Sequence, residues 1–229
     1  MFHMIAADIT APYSAAEAWA YDTFIATAVT QLMATMAGPR LDGVARGGAV
    51  LDVGCGGGQN LLWLADNRPD LALTGLDLSP RQVARARRRA AARDLPIEVV
   101  EGSALDLPFD AGRFDAVLSL ASIKHWPDPA RGLAECARVL APGGRLLVVE
   151  ADRGCHLDDA RAFVDRTRVP RLLAPVALAG FRTWVAGQGL DLDDARALVA
   201  DLGLDDARAE RLPGTPALVL EGTRPRAAG

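Results

Sequence analysis

The chain has little of what marks secreted, membrane-spanning or nucleic-acid-binding proteins. Three cysteines among 229 residues cannot supply the paired disulfide framework of a small secreted domain. No apolar run approaches the roughly 18 residues that a membrane-spanning helix needs, and no signal-peptide pattern precedes Asp8. The net charge of −4 gives no positive field for nucleic acid or an anionic membrane. We therefore expect a cytoplasmic protein, a monomer or homodimer, without a membrane or nucleic-acid partner.

Lysine and metal-ligand pairs are equally scarce. Lys124 is the only lysine of the chain, and it precedes His125, one of three histidines. The arginines cluster instead, six of them between residues 81 and 94, where they spread around several faces of a predicted helix. That spread favours a solvated outer helix, with an RNA-binding patch as the alternative. Cys155 and His156 are adjacent, but no second ligand pair has suitable spacing, so no metal site is expected.

Short apolar runs alternate with helical stretches between residues 47 and 150. Such alternation predicts βαβ units and a parallel sheet covered on both faces, which is an α/β, doubly wound fold. SPRQ at residues 79–82 predicts a capping box at the start of the second helix, with Ser79 as N-cap and Gln82 as its partner. The predicted strands are AVLDV (49–53), LALTGLDL (71–78), IEVVEG (97–102), FDAVLSL (114–120) and RLLVVE (145–150).

Helical additions surround this α/β core. Residues 14–36 form a predicted amphipathic helix, and residues 158–190 form helices interrupted at Pro170 and Pro175. A last helix precedes a hairpin-like pair of strands with Pro213-Gly214 between them. No Pro/Gly stretch amounts to an interdomain linker, so we expect a single domain over residues 1–229. Its parts are an N-terminal helical cap (1–46), the core (47–150), a helical lid (151–190), and a C-terminal helix and strand pair (191–229).

The strongest motif is LDVGCGGG, residues 51–58. Glycines 54, 56 and 58 follow a strand that ends at Asp52, and they let a ligand approach bare backbone before the next helix. The dinucleotide fingerprint GxGxxG fails, because the position of its third glycine is Gln59 or Leu61. This failure weakens the alternative of an NAD-dependent oxidoreductase. No Gly-Lys-Ser/Thr follows either, so a phosphate-binding P-loop is excluded.

The pattern that remains, DxGxGxG from Asp52 to Gly58, resembles the first motif of class I S-adenosylmethionine-dependent methyltransferases. The resemblance continues in register with Asp77 after the second strand, GSALDLPF at residues 102–109, and then FDAVLS and RVLAPGGRLLVVE. It covers residues 50–150. It implies a Rossmann-like, doubly wound, seven-stranded sheet, mostly parallel with an antiparallel last strand, together with N-terminal helices and a helical lid insertion. It also implies S-adenosyl-L-methionine as cofactor and S-adenosyl-L-homocysteine as product.

The resemblance assigns the cofactor site to the ends of the first four strands. Asp77 would accept hydrogen bonds from the ribose hydroxyls, with a helix-capping role as the alternative. Ser103 stands where the family often has aspartate, so a side-chain bond to adenine would be weaker or absent. The full predicted cofactor-binding set is Asp52, Gly54, Cys55, Gly56, Gly58, Asp77, Leu78, Ser103, Ala104, Leu105, Ser119 and Leu120.

The loop after the fourth strand faces the acceptor in the family pattern. His125 is the predicted catalytic base, since an imidazole pKa of about 6.5 suits neutral pH; a pocket wall and a structural role are the alternatives. Lys124 is predicted either to bind an acidic group of the acceptor or to form a surface ion pair. Aromatic residues of the additions would line an acceptor pocket or pack in the core. The predicted acceptor contacts are Tyr21, Lys124, Trp126, Phe181 and Trp184.

Aromatic side chains in the lid favour a small, partly apolar acceptor over nucleic acid or protein. The predicted function is therefore methyl transfer to a small molecule by in-line displacement, in which proximity and dehydration supply most of the rate. N-, O- and C-methylation stay open. The alternatives are a methyltransferase that acts on RNA or protein, and a member of the fold that binds the cofactor without methylating.

Overall fold

A computed structural model describes residues 38–226 of the protein. Seven strands form one sheet within that range, in the order β3-β2-β1-β4-β5-β7-β6. Strands β1 to β5 pair in parallel, and β7 runs antiparallel to both β5 and β6. This arrangement confirms the expected doubly wound sheet with an antiparallel last strand. The strands are β1 (Ala49–Val53), β2 (Ala72–Asp77), β3 (Glu98–Glu101), β4 (Phe114–Leu120), β5 (Leu140–Ala151), β6 (Asp205–Arg211) and β7 (Ala217–Thr223).

Helices cover both faces of the sheet, and the apolar residues of the strands divide between them. Successive side chains of a strand point to opposite faces. Val50 accordingly packs in one buried cluster with residues of α1 and α2, whereas Leu51 packs in another with residues of α3 and α6. The α-helices that lie entirely within the described residues are α1 (Gln59–Asn67), α2 (Pro80–Ala91), α3 (Pro129–Val139), α4 (Leu157–Asp165), α5 (Ala174–Gly180) and α6 (Leu192–Ala200).

The chain order of the strands reverses at β1, which places the ligand-binding crevice of the fold. From β1 the sheet grows outward through β2 and β3, and the chain then returns to place β4 on the other side of β1. Connections that leave β1 and β4 in opposite directions open a crevice at the carboxyl ends of the two strands. The loops that follow Val53 and Leu120 border this crevice.

The segment between β5 and α6 is helical, as expected, and its two ends meet. Asp152 and Leu190 form an isolated parallel bridge, and the Arg153 N–H donates to the Leu190 carbonyl at 2.9 Å. Pro170 separates two helical stretches, but Pro175 does not interrupt one. It lies in the first turn of α5, where a missing N–H costs no hydrogen bond. The short turns of this segment are 3₁₀ helices at Arg171–Leu173 and Ala186–Gln188 and a π-helix at Phe181–Val185.

The predicted capping box at the start of α2 is wrong in its hydrogen bonds. Ser79 is the N-cap residue, but its hydroxyl makes no capping bond and is buried without a partner. Its backbone N–H donates instead to Asp77 Oδ1 at 2.8 Å. The end of β2 therefore supplies the acceptor for the Ser79 N–H that the Gln82 side chain was expected to provide.

Two further expectations concern the predicted N-terminal helix and membrane-spanning helices. The predicted helix over residues 14–36, which carries Tyr21, lies outside the residues that the structure describes. Between residues 38 and 226, no helix combines the length and apolar character that crossing a bilayer requires.

Candidate functional site

The loop between β1 and α1 has glycine at three positions where the backbone is left-handed, and the space around two of them differs. Gly54, Gly56 and Gly58 all have left-handed backbone conformations, with φ of 75°, 53° and 80°, which other residues adopt at a cost. A Cβ at Gly54 would lie only 1.9 Å from Ser122 Oγ, so close packing requires glycine there. A Cβ at Gly56 would meet nothing within 4 Å. Space for a ligand therefore exists directly beside the Gly56 backbone.

Asp77 connects this glycine loop to the start of α2. Its Oδ2 accepts from the Gly56 N–H at 2.8 Å, and its Oδ1 accepts from the Ser79 N–H at 2.8 Å. Burial raises the pKa of Asp77, and the two N–H groups partly oppose that rise. Each carboxylate oxygen can accept more than one hydrogen bond, so capacity for a ligand remains. Leu78, which follows, exposes 62% of its surface.

Asp52 is a buried carboxylate whose two oxygens have no hydrogen-bond partner among the described residues. Burial raises its pKa from 3.8 to about 7, and the negative charge of Asp77 adds to the rise. The nearby Asn60 amide partly counteracts these effects, although it is outside hydrogen-bond geometry. The hydroxyl of Ser119 is likewise buried without a partner. Buried polar atoms are normally paired, so these two residues fit a site that is completed by a polar ligand.

The segment after β3 is held in place by the face of α3 that packs on it. Ser103 Oγ accepts from the Leu105 N–H at 3.1 Å, which fixes a local turn. Arg131 donates to the Leu105 carbonyl at 2.8 Å, and Glu135 accepts from the Leu107 N–H at 2.8 Å. Sequence analysis missed these α3 residues. Their spacing, together with Arg138 on the same helix face, was the available signal.

Arg138 extends this contact to the end of the same segment. It donates to the carbonyls of Leu107 and Phe109 at 3.0 and 2.9 Å and forms an ion pair with Glu135 at 2.7 Å. Ala104, between the two fixed parts, is half-buried. The predicted adenine-facing residues thus lie on a loop whose backbone is tied to the protein by side chains of α3.

The loop after β4 folds back against the glycine loop. Trp126 donates from its indole N–H to Ser122 Oγ at 3.1 Å, and Ser122 packs against Gly54. The Trp126 ring is buried against Gly132 of α3, where a Cβ would come within 2.4 Å of it. Trp126 is therefore a core residue that anchors the loop, and its predicted role as an acceptor contact is not supported.

Lys124 forms a buried ion pair with Glu150. Its Nζ lies 2.7 Å from Glu150 Oε1, and the two side chains expose 6% and 0% of their surface. The Nζ also donates to the Ala121 carbonyl at 3.0 Å. The predicted ion pair thus exists, but it is buried rather than at the surface. Because the ammonium is directed at these two acceptors, the prediction that it binds an acidic acceptor group loses its support.

His125 ends the 3₁₀ turn Ile123–His125 and is half-buried. Its backbone N–H donates to the Ser122 carbonyl at 2.9 Å, so the residue shares the loop that packs on the glycines. Its position borders the crevice, and its role as a catalytic base stays a prediction.

The aromatic residues of the lid segment divide into a packed one and an exposed one. Phe181 is buried, with its ring centroid 5.0 Å from that of Phe163, so its predicted role as an acceptor contact is not supported. Trp184 is 41% exposed and remains available to a ligand. Within residues 38–226, no group of three or more His, Cys, Asp or Glu side chains is arranged to hold a metal ion.

Comparison with known proteins agrees with this geometry. Residues 51–148 match a family model described as a methyltransferase domain, and this range includes the glycine loop, Asp77 and strands β2 to β4. This stretch of the chain therefore resembles a methyltransferase domain in sequence, and its fold agrees with that of solved methyltransferase structures. The match favours the methyltransferase interpretation of the glycine loop over the alternative of an NAD-dependent oxidoreductase.

Curated relatives are methyltransferases by name, and some of the names contain a small-molecule substrate. The chain is 43% identical over 101 residues to demethylmenaquinone methyltransferase of Thermus thermophilus, which is 44% of this chain and 46% of that protein. It is 34% identical over 156 residues to 27-O-demethylrifamycin SV methyltransferase of Amycolatopsis mediterranei, covering 65% and 56%. It is 33% identical over 188 residues to methyltransferase GfsG of Streptomyces halstedii, covering 79% and 62%. The chain thus spans about half the length of the curated relatives it matches.

Solved structures share the fold. A candidate S-adenosylmethionine-dependent methyltransferase from Methanococcus maripaludis superposes with a TM-score of 0.72 at 18% identity, covering 93% of this chain and 94% of the other. Geranyl diphosphate C-methyltransferase from Streptomyces coelicolor, a complex that contains S-adenosyl-L-homocysteine, superposes with a TM-score of 0.63 at 16% identity, covering 85% and 79%. At these identities the likeness establishes the architecture, and the site must be argued from this chain's own residues.

Proposed function

We propose that the chain transfers a methyl group from S-adenosyl-L-methionine to a small, partly apolar acceptor. The observation that carries the proposal is the open space beside Gly56, next to the Asp77 carboxylate that fixes the loop. A ligand can approach bare backbone at this point while hydrogen-bonding to a carboxylate. The methyltransferase family match over the same residues supports the choice of cofactor.

The chemistry of the crevice fits this cofactor, which carries a sulfonium cation and no phosphate group. The residues that would hold it are acidic, apolar or backbone groups. Asp77 would accept from the ribose hydroxyls, and the exposed side chain of Leu78 would cover one face of the adenine. A cation near Asp52 would offset the cost of its buried, unpaired carboxylate. When bound, the cofactor supplies a methyl group that is already activated by the sulfonium.

The chain's own residues would align the two reactants, exclude water from the crevice and accept a proton from the acceptor. The glycine loop and the loop after β4 pack on each other through Gly54 and Ser122, which fixes the two walls of the crevice. Alignment of two reactants in this way can supply a large part of the rate. Where the acceptor atom is a hydroxyl or a protonated amine, His125 takes its proton. Where the acceptor is a carbon or a neutral amine, no base is needed.

The lid supports an acceptor with an apolar part. Its exposed large apolar residues are Leu157, Leu172, Leu173, Val176 and Trp184. The relatives named for demethylmenaquinone and 27-O-demethylrifamycin SV are consistent with an apolar small molecule. RNA is less well supported, because three arginines of the basic run are already bonded within the protein. They are Arg87 to the Val99 carbonyl, Arg89 to the Gly57 carbonyl and Arg93 to Asp66.

Calorimetric titration with S-adenosyl-L-homocysteine tests the cofactor half of the proposal. Asp77→Asn keeps the size of the side chain but removes its charge. We expect it to weaken binding about 10- to 100-fold, because a hydrogen bond to a charged group contributes roughly 1.5–3 kcal/mol. Asp193→Asn is the matched control, since that side chain is 93% exposed and lies on α6. Unchanged affinity in Asp77→Asn, or no binding by the unmodified protein at millimolar ligand, would contradict the proposal.

A further inference from the structure

The single lysine of the chain occupies a position that an arginine would not fill. Its ammonium is buried and donates to two acceptors, Glu150 Oε1 at 2.7 Å and the Ala121 carbonyl at 3.0 Å. A compact ammonium can direct three N–H donors from one atom, whereas guanidinium is larger, planar and fork-shaped. All the other residues in the combined count of lysine and arginine are arginine. The single lysine therefore occurs at a position where a compact positive charge is buried.

Ala121, one acceptor of that ammonium, has a backbone conformation that alanine rarely adopts. Its φ is 54°, in the left-handed region that is costly for any residue with a Cβ. Such conformations persist only where surrounding contacts hold them, and they concentrate at functional sites. Two contacts hold this one. The Ala121 N–H donates to the Val149 carbonyl at 2.8 Å, and its carbonyl accepts from Lys124.

Glu150 completes the arrangement from the end of β5. Its Oε2 accepts from the Lys124 backbone N–H at 3.2 Å, and its Oε1 also accepts from the Ala151 N–H at 2.7 Å. The carboxylate thus contacts both the backbone and the side chain of Lys124. Together these bonds tie the turn after β4 to the end of β5, on the side of the crevice opposite β1.

The turn that these bonds hold carries the residues that reach the glycine loop. Ser122 follows Ala121 directly and packs on Gly54, and His125 and Trp126 follow within four residues. If Ala121 relaxed to an ordinary backbone conformation, the direction of the chain after β4 would change. Ser122 would then lose its place against the glycine loop, and the wall of the crevice would open.

We propose that Lys124 is a positioning residue, which holds Ala121 in its left-handed conformation by bridging its carbonyl to Glu150. The inference rests on the proposed function only in taking the crevice beside this turn as the cofactor site. We expect lysine to suit this position better than arginine, because one ammonium donates to both acceptors from a single atom.

Paired substitutions separate this role from general loss of stability. Lys124→Met alone would leave the buried Glu150 carboxylate without its cation, which destabilises a protein strongly, so the test variant is Lys124→Met with Glu150→Gln. We expect its affinity for S-adenosyl-L-homocysteine to fall about 5- to 30-fold. Without Lys124, the free-energy cost of the left-handed conformation of Ala121 would lower the fraction of protein whose turn is in the binding conformation by about this factor. Adding Ala121→Gly should restore the affinity to within about twofold, since glycine adopts that conformation freely. Arg196→Met, which removes an exposed ion pair on α6, is the control.

Two results would overturn the inference: full affinity in the paired variant, or a loss that Ala121→Gly does not restore. Lys124→Arg should also lose affinity, and full affinity in that variant would overturn the expected preference for lysine. A variant that is destabilised without displacement of the turn would not respond to a glycine at position 121. Rescue by Ala121→Gly is therefore the result that only a positioning role predicts.

A second readout does not depend on the cofactor. The indole N–H of Trp126 donates to Ser122 Oγ, so its resonance in protein labelled with ¹⁵N-tryptophan reports the position of the turn. We expect this resonance to move in the paired variant and to return on adding Ala121→Gly, while that of Trp63 in α1 stays in place. If the unmodified protein fails to bind the probe, the proposed function fails, and this spectrum alone decides the role of Lys124. An unmoved Trp126 resonance would then overturn it.

Discussion

Replacing Asp52 with asparagine should make the protein more stable at neutral and alkaline pH, although the residue lies in the strongest motif of the sequence. Asparagine has nearly the same size and cannot ionise. The carboxylate of Asp52 is fully buried, and neither oxygen has a hydrogen-bond partner in the described part of the chain. The variant therefore removes a buried charge that the folded protein without cofactor does not pair.

The magnitude follows from the pKa of Asp52, which burial raises from 3.8 to about 7. Each unit of difference between the folded and unfolded states corresponds to about 1.36 kcal/mol, so the ionised form costs about 4 kcal/mol. The folded state binds the proton more tightly than the unfolded state does. This contribution to stability is therefore fully present below the unfolded pKa of 3.8 and is lost as pH rises to about 7. Between pH 5 and pH 8 the loss amounts to about 2–3 kcal/mol.

Urea unfolding of the unmodified protein and of Asp52→Asn at pH 5 and pH 8 measures this effect. The stability advantage of the variant should grow by about 2–3 kcal/mol from the lower to the higher pH. Other titrating groups are common to both proteins and cancel in the difference. If the two proteins respond to pH in parallel, the Asp52 carboxylate is paired or solvated in solution, and the reasoning is refuted.

Two further predictions concern glycine and cysteine positions. Gly56→Ala should weaken S-adenosyl-L-homocysteine binding at least about tenfold in the calorimetric assay. Gly203 is the control position, because it has a similar positive φ and equally open space around it. Gly203→Ala should therefore lose comparable stability but keep its affinity. Iodoacetamide should alkylate Cys155 of the native protein first, because Cys55 and Cys136 are buried and burial raises the pKa of Cys136 to about 12. Burial raises the pKa of Cys155 as well, but this side chain is only half-buried and therefore accessible to the reagent. Mass spectrometry of peptides checks the order, and early labelling of Cys136 would contradict it.

The fold was accessible from the sequence because the signals that specify it are local. Val50 and Leu51 alternate between two buried clusters on opposite faces of the sheet, and such runs between helical stretches predict a covered parallel sheet. The glycine loop was accessible for the same reason, since a strand, three spaced glycines and a helix are contiguous in sequence. The antiparallel last strand came from family resemblance rather than from any feature of residues 217–223.

The details that escaped prediction depend on contacts between residues distant in sequence. Ser79 has the sequence of a capping residue, yet Asp77 takes its N–H because the end of β2 lies beside it. The sequence around Lys124 suggests an exposed loop. The buried ion pair forms because the fold brings Glu150, near the end of β5, beside Lys124. Trp126 could line a pocket or anchor a loop by sequence alone, and the close approach of Gly132 decides the matter. In each case a tertiary partner overrode the local preference.

We propose that this crevice transfers a methyl group to a small, partly apolar acceptor. The most direct measurement incubates the protein with S-adenosyl-L-methionine labelled in its methyl group and a metabolite extract, and then follows label in the organic-soluble, low-molecular-weight fraction. We expect label to enter this fraction with the unmodified protein and with Asp193→Asn, but to be reduced at least about tenfold with Asp77→Asn. Label found only in RNA or protein, or equal transfer by the Asp77 variant, would contradict it.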